Sequence, residues 1–211
     1  MTHTAAVLTG DLIASTQAGQ DAVDGAMDLL EGIAQNEAEI LGLDIRFARF
    51  RGDGWQMYCP DAERVFRLTV LVLATLQSRP TLAQTRLSVA TGQVSVLPQD
   101  GLASANGTVF TLSGQTLDQM TNQRLVYNSN TPDTRWHRPL FAYLGWQSSR
   151  WSPEQAEAIA LALYQGSPNK RNVSEKLGIT RQAAEARLNG AGYAPLLDAE
   201  AAFYCVSARP T

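Results

Sequence analysis

Asp11 and Asp53 are the side chains in this sequence best suited to chemistry. Each lies at the end of an apolar, strand-like run, Val7-Leu8-Thr9-Gly10-Asp11-Leu12 and Phe50-Arg51-Gly52-Asp53-Gly54-Trp55. Hard divalent cations such as Mg²⁺ or Mn²⁺ take oxygen ligands, usually one or two carboxylates with phosphate oxygens from a substrate. Strand ends and hairpins are rigid supports on which two carboxylates can converge. Gly52 and Gly54 flank Asp53 and would let a phosphate approach the backbone. A second reading leaves Asp53-Gly54 as a turn dipeptide with Asp11 capping a loop.

The elements that must hold this pair follow from periodicity. Ala5 to Leu8 reads as a buried strand. Val23, Met27, Leu30, Ile33 and Ile40 recur at helical spacing and predict a helix over 21–41, closed by Gly42 as C-cap. Strands at 45–50 and 55–59 form a hairpin around Asp53-Gly54. Asp61 caps a helix that carries Val65, Phe66, Val70, Leu73 and Leu76 and ends before Pro80. A strand over 86–96 and a helix over 111–120 follow. This order predicts an α+β domain with an antiparallel, ferredoxin-like sheet and helices on one face. Trp55 and Met57 alternate along their strand, which favours core packing over flanking a base.

Composition shifts over 128–139, and the chain divides into 1–148 and 149–211. In the second part Ser152 and Pro153 open a helix. A short helix over 171–177, the turn Gly178-Ile179 and a helix over 181–188 capped by Thr180 make a small all-α unit of helix-turn-helix pattern. Between Lys170 and Arg187 five basic residues face Glu175 and Glu185, a local excess suited to phosphates. In such a motif Thr180, Arg181 and Gln182 would meet base edges, and Asn169, Lys170 and Arg171 the DNA backbone. A helical bundle serving dimerisation is the other reading.

Bulk properties exclude several classes. The 211 residues carry a formal net charge of -3 and 45% hydrophobic residues, an ordinary globular balance. Two cysteines cannot build a disulfide framework, and no Cys/His spacing suits a metal. The start lacks a basic, then apolar, leader, and no apolar run could span a bilayer, so a cytoplasmic location is expected.

Several segments resemble class III nucleotidyl cyclases. Asp11-Leu12-Ile13-Ala14-Ser15-Thr16 is similar to their Asp-Ile-x-Gly-Phe-Thr segment, and Arg49-Phe50-Arg51-Gly52-Asp53-Gly54 to their Lys-x-x-Gly-Asp-Gly hairpin. Arg86-Leu87-Ser88-Val89-Ala90-Thr91-Gly92-Gln93-Val94 is similar to their Arg-x-Gly-x-x-x-Gly-x-Val strand, and Gly107 to Leu117 falls where they carry Gly-x-x-Val-Asn-x-Ala-x-Arg-Leu. The whole chain resembles the SatD-type family, which joins a cyclase-like domain to a helix-turn-helix-like tail. The resemblance implies that Asp11 and Asp53 bind Mg²⁺ or Mn²⁺. It implies that Leu12, Ile13, Ser15 and Thr16 cradle a triphosphate, and that the site forms across a head-to-tail homodimer. It also places Arg49 at the base-reading lysine and Ser104 near the base-reading aspartate.

Two departures limit the chemistry. Thr111 stands at the ribose-orienting asparagine, and Gln115 at the arginine that stabilises charge on the reacting phosphate. Loss of a positioned cation removes transition-state stabilisation on which phosphoryl transfer depends. Arg124 and Arg135 lie beyond the matched segments as candidate replacements, or as solvated surface residues. The expectation is a dimeric regulator that binds a nucleotide with a divalent metal and contacts DNA. The alternative is an active nucleotidyl cyclase making a cyclic nucleotide with a base preference other than adenine, in which Thr111 and Gln115 are the catalytic candidates. A structural scaffold is a third possibility.

Overall fold

Strand β1 (His3–Ile13) lies at the centre of the sheet, and its sequence explains why. Ala6, Leu8 and Leu12 bury on one face, Ala5 and Val7 on the other. A strand covered on both faces reads as a continuous apolar run. The computed structural model describes residues 3–50, 52–130, 136–164 and 170–207, the side chains of 170–172 and 205–207 excepted. Arg51, Arg135, Asn169 and the side chains of Lys170, Arg171 and Cys205 therefore lie outside the described residues.

Strands β2 (Arg46–Arg49), β3 (Gly54–Cys59), β4 (Gln84–Val94) and β5 (Leu125–Ser129) complete the sheet in the order β2-β3-β1-β4-β5. β1 pairs antiparallel with β3 and β4, and β2 antiparallel with β3. With helices α2 (Gln20–Leu41) and α3 (Val65–Gln77) as crossovers, the first four strands form the ferredoxin-like arrangement expected of an α+β chain. Gly42 ends α2 in the left-handed conformation, as the C-cap pattern predicts. β5 is an addition that the sequence reading did not include. It runs parallel to β4 after helix α4 (Thr108–Gln119).

The expected one-sided cover of the sheet is corrected. α2 and α3 cover one face, but Val109 and Phe110 of α4 pack on Ala5, Val7, Tyr58 and Ala90 of the other. Those strand positions are apolar, and bare they would leave a hydrophobic surface in water. The approach of α4 is close: a Cβ at Gly107, whose φ is +152°, would stand 2.5 Å from the carbonyl of Gln93. Only glycine accommodates both that contact and that backbone.

α3 needs more cover than the sheet alone can give. Val65, Phe66 and every residue from Leu68 to Leu76 are buried, so this helix has no polar face. A helix apolar all round must be enclosed on all sides. The sheet supplies one cover. Helices α5 (His137–Ser148), α6 (Pro153–Tyr164) and α9 (Tyr193–Ser207) belong to the same core, through Phe141, Ile159, Leu163 and Phe203. Arg67, in the first turn of α3, donates to the carbonyl of Leu163 and pairs with Glu200 at 3.6 Å. α6 opens on a reciprocal cap: Ser152 Oγ accepts from the Gln155 amide, and Gln155 Oε1 from the Ser152 amide. α7 (Lys170–Leu177) and α8 (Arg181–Ala191) are joined by Gly178-Ile179-Thr180, with Gly178 at φ +62° and Thr180 capping the amide of Ala183. No helix among the described residues is long and apolar enough to cross a membrane.

His137 sits inside this joint core, 2% exposed, against Trp136, Tyr127 and Phe203. Its Nε2 is sealed without a partner among the described residues. Burial pushes its pKa from 6.5 down to about 4, so it stays neutral in the folded chain. Unfolded, it takes up a proton below its ordinary value. Its contribution to stability is therefore intact above pH 6.5 and is lost as pH falls towards 4, on the order of 2–3 kcal/mol. Urea unfolding at pH 7 and pH 4.5 is expected to show His137→Phe losing about 2 kcal/mol less than wild type over that interval. Equal losses in both proteins would refute the assignment.

Candidate functional site

The carboxylate end of the sheet is built by cross-strand register. Asp11 pairs with Gly54 of β3 on one side and with Arg86 of β4 on the other. Arg86 meets it side on: Nε donates to Oδ1 at 2.7 Å and Nη2 to Oδ2 at 2.8 Å. Its Nη1 donates to the carbonyl of Met120, beyond the end of α4, at 3.0 Å. Both Asp11 oxygens are thus engaged by one guanidinium. The pair is part exposed, 33% for Arg86 and 27% for Asp11, and worth on the order of 1 kcal/mol. Carboxylates raise the pKa of Arg86, Asp11 first by hydrogen bonding, with Asp53 and Asp118 adding to the field.

Asp53 follows Gly52, which has φ +84°, in the β2–β3 hairpin closed by the Phe50 amide on the Gly54 carbonyl. Its Oδ2 accepts a 2.5 Å hydrogen bond from Ser15 Oγ, and its carbonyl accepts from the Leu12 amide at 3.1 Å. The hairpin is thereby tied to the turn that leads from β1 into the short helix α1 (Ser15–Ala18). Ala14 makes that turn in the left-handed region, at φ 55°. Behind the site, Trp55 Nε1 donates to Thr85 Oγ1, which donates to the Asp11 carbonyl. Trp55 and Met57 are fully buried, so both are core residues. A Cβ on Gly10 would stand 2.6 Å from the Trp55 ring, so this indole fixes glycine beside Asp11.

Asp11 and Arg86 open onto a cleft of about 630 Å³, lined also by Leu12 to Ala14, Gln84, Arg124 and the loop of Thr121, Asn122 and Gln123. Among the described residues no three His, Cys, Asp or Glu side chains converge on a metal. Two carboxylates at one sheet end suit an ion that completes its shell with phosphate oxygens and water. Asp11 fits that role once Arg86 moves to another anion.

The remaining expected residues are spread more widely. Leu12 is buried, Ile13 is 46% exposed, Ser15 holds Asp53, and Thr16 is exposed. Arg49 donates to Asp24 of α2 at 2.7 Å, and Ser104 is exposed in the loop before α4. Thr111 and Gln115 share a separate cleft of about 400 Å³ with Asn106, Thr108 and Asn130. Among the described residues none lines both clefts, so the Asp11 cleft and the Thr111/Gln115 cleft are separate within one chain. Thr180, Arg181 and Gln182 are exposed at the start of α8, while Ala184, Leu188 and Ala191 bury. Lys170 and Arg171 begin α7.

The sequence reading did not assign Arg86 or Gln84 to the site. The signal for Arg86 was present: it opens the Arg-Leu-Ser-Val strand, and alternation sets it on one face with Ser88 and Ala90. Arg124 precedes β5. Its Nη2 donates to Gln77 Oε1 at 3.1 Å and to Gln84 Oε1 at 3.3 Å, and burial lowers its pKa.

No family model matches the chain, and no curated protein matches it. Among solved structures, the guanylyl cyclase Cya2 is similar at 15% identity and a TM-score of 0.40, over 60% of this chain and 75% of that one. A bacterial light-regulated adenylyl cyclase is similar at 11% identity and a TM-score of 0.40, over 60% of this chain and 76% of that one.

Proposed function

We propose that the Asp11 cleft binds a nucleoside triphosphate with Mg²⁺ or Mn²⁺, and that the chain works as a homodimeric, nucleotide-responsive regulator whose α8 contacts DNA. The observation that carries this reading is the Asp11–Arg86 pair lining one cleft, with Asp53 close enough to add to the field at Arg86. A weak, part-exposed ion pair is easily exchanged. A polyphosphate carries more negative charge than the Asp11 carboxylate and accepts from the same guanidinium edge, so it can compete for Arg86. Release of Asp11 then gives the cation a second carboxylate beside Asp53. The bound ion would neutralise phosphate charge. Cation and polyphosphate thus favour each other's binding, and neither does so well alone.

The regulator half of the reading has a physical connection to support it. Arg124 donates to Gln77, Gln77 Nε2 donates to the Trp151 carbonyl at 3.1 Å, and Trp151 Nε1 donates to the Ala191 carbonyl at the end of α8. A ligand with different affinity for two arrangements of these groups would shift their populations.

Calorimetry with four nucleoside triphosphates and Mg²⁺ or Mn²⁺ is expected to show binding that Asp53→Ala weakens by about ten-fold or more. Arg86→Met is expected to act in opposite directions, tightening Mn²⁺ alone and weakening the nucleotide. A wild-type protein that binds no nucleotide would end the proposal.

Thr111 and Gln115 place no cation in the second cleft, so little cyclic nucleotide is expected by mass spectrometry with Mn²⁺ present. The double variant Thr111→Asn with Gln115→Arg is expected to raise product by about 10²-fold. Ready turnover of one triphosphate by the wild type, abolished by Asp11→Ala, would instead establish an active cyclase.

For the DNA arm, Arg181→Ala is expected to weaken a selected duplex about ten-fold in fluorescence anisotropy. Failure of the wild type to bind any duplex at low salt would remove that arm and leave the nucleotide site standing.

A further inference from the structure

Arg124 is the charged group at this end of the sheet whose environment the preceding account leaves unexplained. It sits beside Arg86 on the neighbouring strand, since the Leu87 amide donates to the Arg124 carbonyl at 2.9 Å and Leu87 pairs with Leu125. Two guanidinium groups therefore start from adjacent strand ends, about 5 Å apart at the backbone. Their partners differ. Arg86 is neutralised by Asp11, whereas Arg124 reaches only the neutral amide oxygens of Gln77 and Gln84. Among the described residues no carboxylate lies within ion-pair distance of Arg124, its Nη1 makes no hydrogen bond, and its Nε is sealed without a partner. Burial alone accounts for the lowering of its pKa, and arginine keeps its charge regardless. The lining of the cleft is thus one positive charge in excess, and Arg124 carries it.

A half-buried cation held between two neutral acceptors is incomplete without an anion. An anion entering the cleft meets this fork and the guanidinium of Arg86, a matched pair for oxygens on neighbouring phosphorus atoms. We propose that Arg124 is a phosphate-binding residue of this cleft, holding the terminal phosphate of a polyphosphate chain whose inner phosphates lie at Arg86. The proposal rests on the nucleotide reading of the cleft and assigns it a polyphosphate rather than a monophosphate. Gln77 and Gln84 are positioning residues that orient the fork.

The test uses the full chain with three probes: a nucleoside triphosphate with Mg²⁺, the matching monophosphate, and inorganic tripolyphosphate. Arg124→Gln is expected to weaken triphosphate and tripolyphosphate by about ten-fold or more, to leave the monophosphate unchanged, and to lose more than Arg124→Lys. The Arg124 Nε–H resonance, identified by its disappearance in Arg124→Lys, is expected to shift when tripolyphosphate saturates the wild type. That readout remains decisive if Arg124→Gln fails to fold. Equal triphosphate affinity in wild type and Arg124→Gln, or a stationary resonance at saturation, overturns the role of Arg124 and leaves the nucleotide site intact. Tripolyphosphate binding through Arg124 without any nucleotide binding sustains the phosphate site and overturns the nucleotide reading. A wild type that binds neither overturns both.

Discussion

A helix without a polar face can exist only between two layers, and α3 is such a helix. The sheet covers one side of it, and α6 and α9 cover the rest. The core consequently runs without a break from β1 to Phe203. This constraint sets where everything else lies. Arg67, the one charge of the helix, is answered by Glu200 and by a carbonyl of α6. Gln77, at its last turn, is where the layers meet: one end of its amide faces Arg124 at the cleft, the other the Trp151 carbonyl at the entry to α6. A polar side chain there does what the apolar residues before it cannot, since it joins two backbone segments and a cation by directional bonds.

The charges at the sheet end follow from register in the same way. Antiparallel pairing of β1 with both neighbours sets Asp11 opposite Gly54 and Arg86. A slip of one residue would turn Arg86 to the other face of the sheet and leave Asp11 unpaired. Gly10 against Trp55, and Thr85 against the Asp11 carbonyl, fix the strand at this point. Rigid backbone thus carries a side-chain pair that is itself weakly held. That combination suits exchange of one ionic partner for another, because only side chains have to move.

Much of this was legible in the sequence where the signal was local. The apolar run of Ala5 to Leu8, the helical spacing in α2, the hairpin at Asp53-Gly54 and the caps at Gly42, Ser152 and Thr180 each depend on a few neighbouring residues, and each has its counterpart in the structure. The rest depends on partners distant in sequence. β5 is five residues long and takes its ladder from β4, so nothing in its own pattern marks it. α5 begins in a stretch of linker-like composition, yet Pro139 lies in its first turn, where a missing amide hydrogen costs nothing. Arg86 was visible as a strand residue, but its bond to Asp11 is a matter of register. Arg124 read equally well as a surface residue, because its burial comes from Gln77 and Gln84 on other elements.

The two clefts give the arrangement its functional sense. Among the described residues, one is lined by the Asp11 carboxylate and the guanidinium groups of Arg86 and Arg124, the other by neutral side chains, Thr111 and Gln115 with asparagines around them. Binding a charged ligand needs the first alone. Group transfer on that ligand also needs charge stabilisation as bonds change, and no residue of the second cleft lines the first within one chain. Thr111 and Gln115 themselves offer only hydroxyl and amide dipoles to whatever enters the second cleft. Among the described residues, the ionic groups and the Thr111 and Gln115 dipoles therefore stand apart in one chain. The hydrogen bonds from Arg124 through Gln77 and Trp151 to Ala191 join the first cleft to α8, so a change in the orientation of the Arg124 guanidinium is felt at that helix through directional bonds.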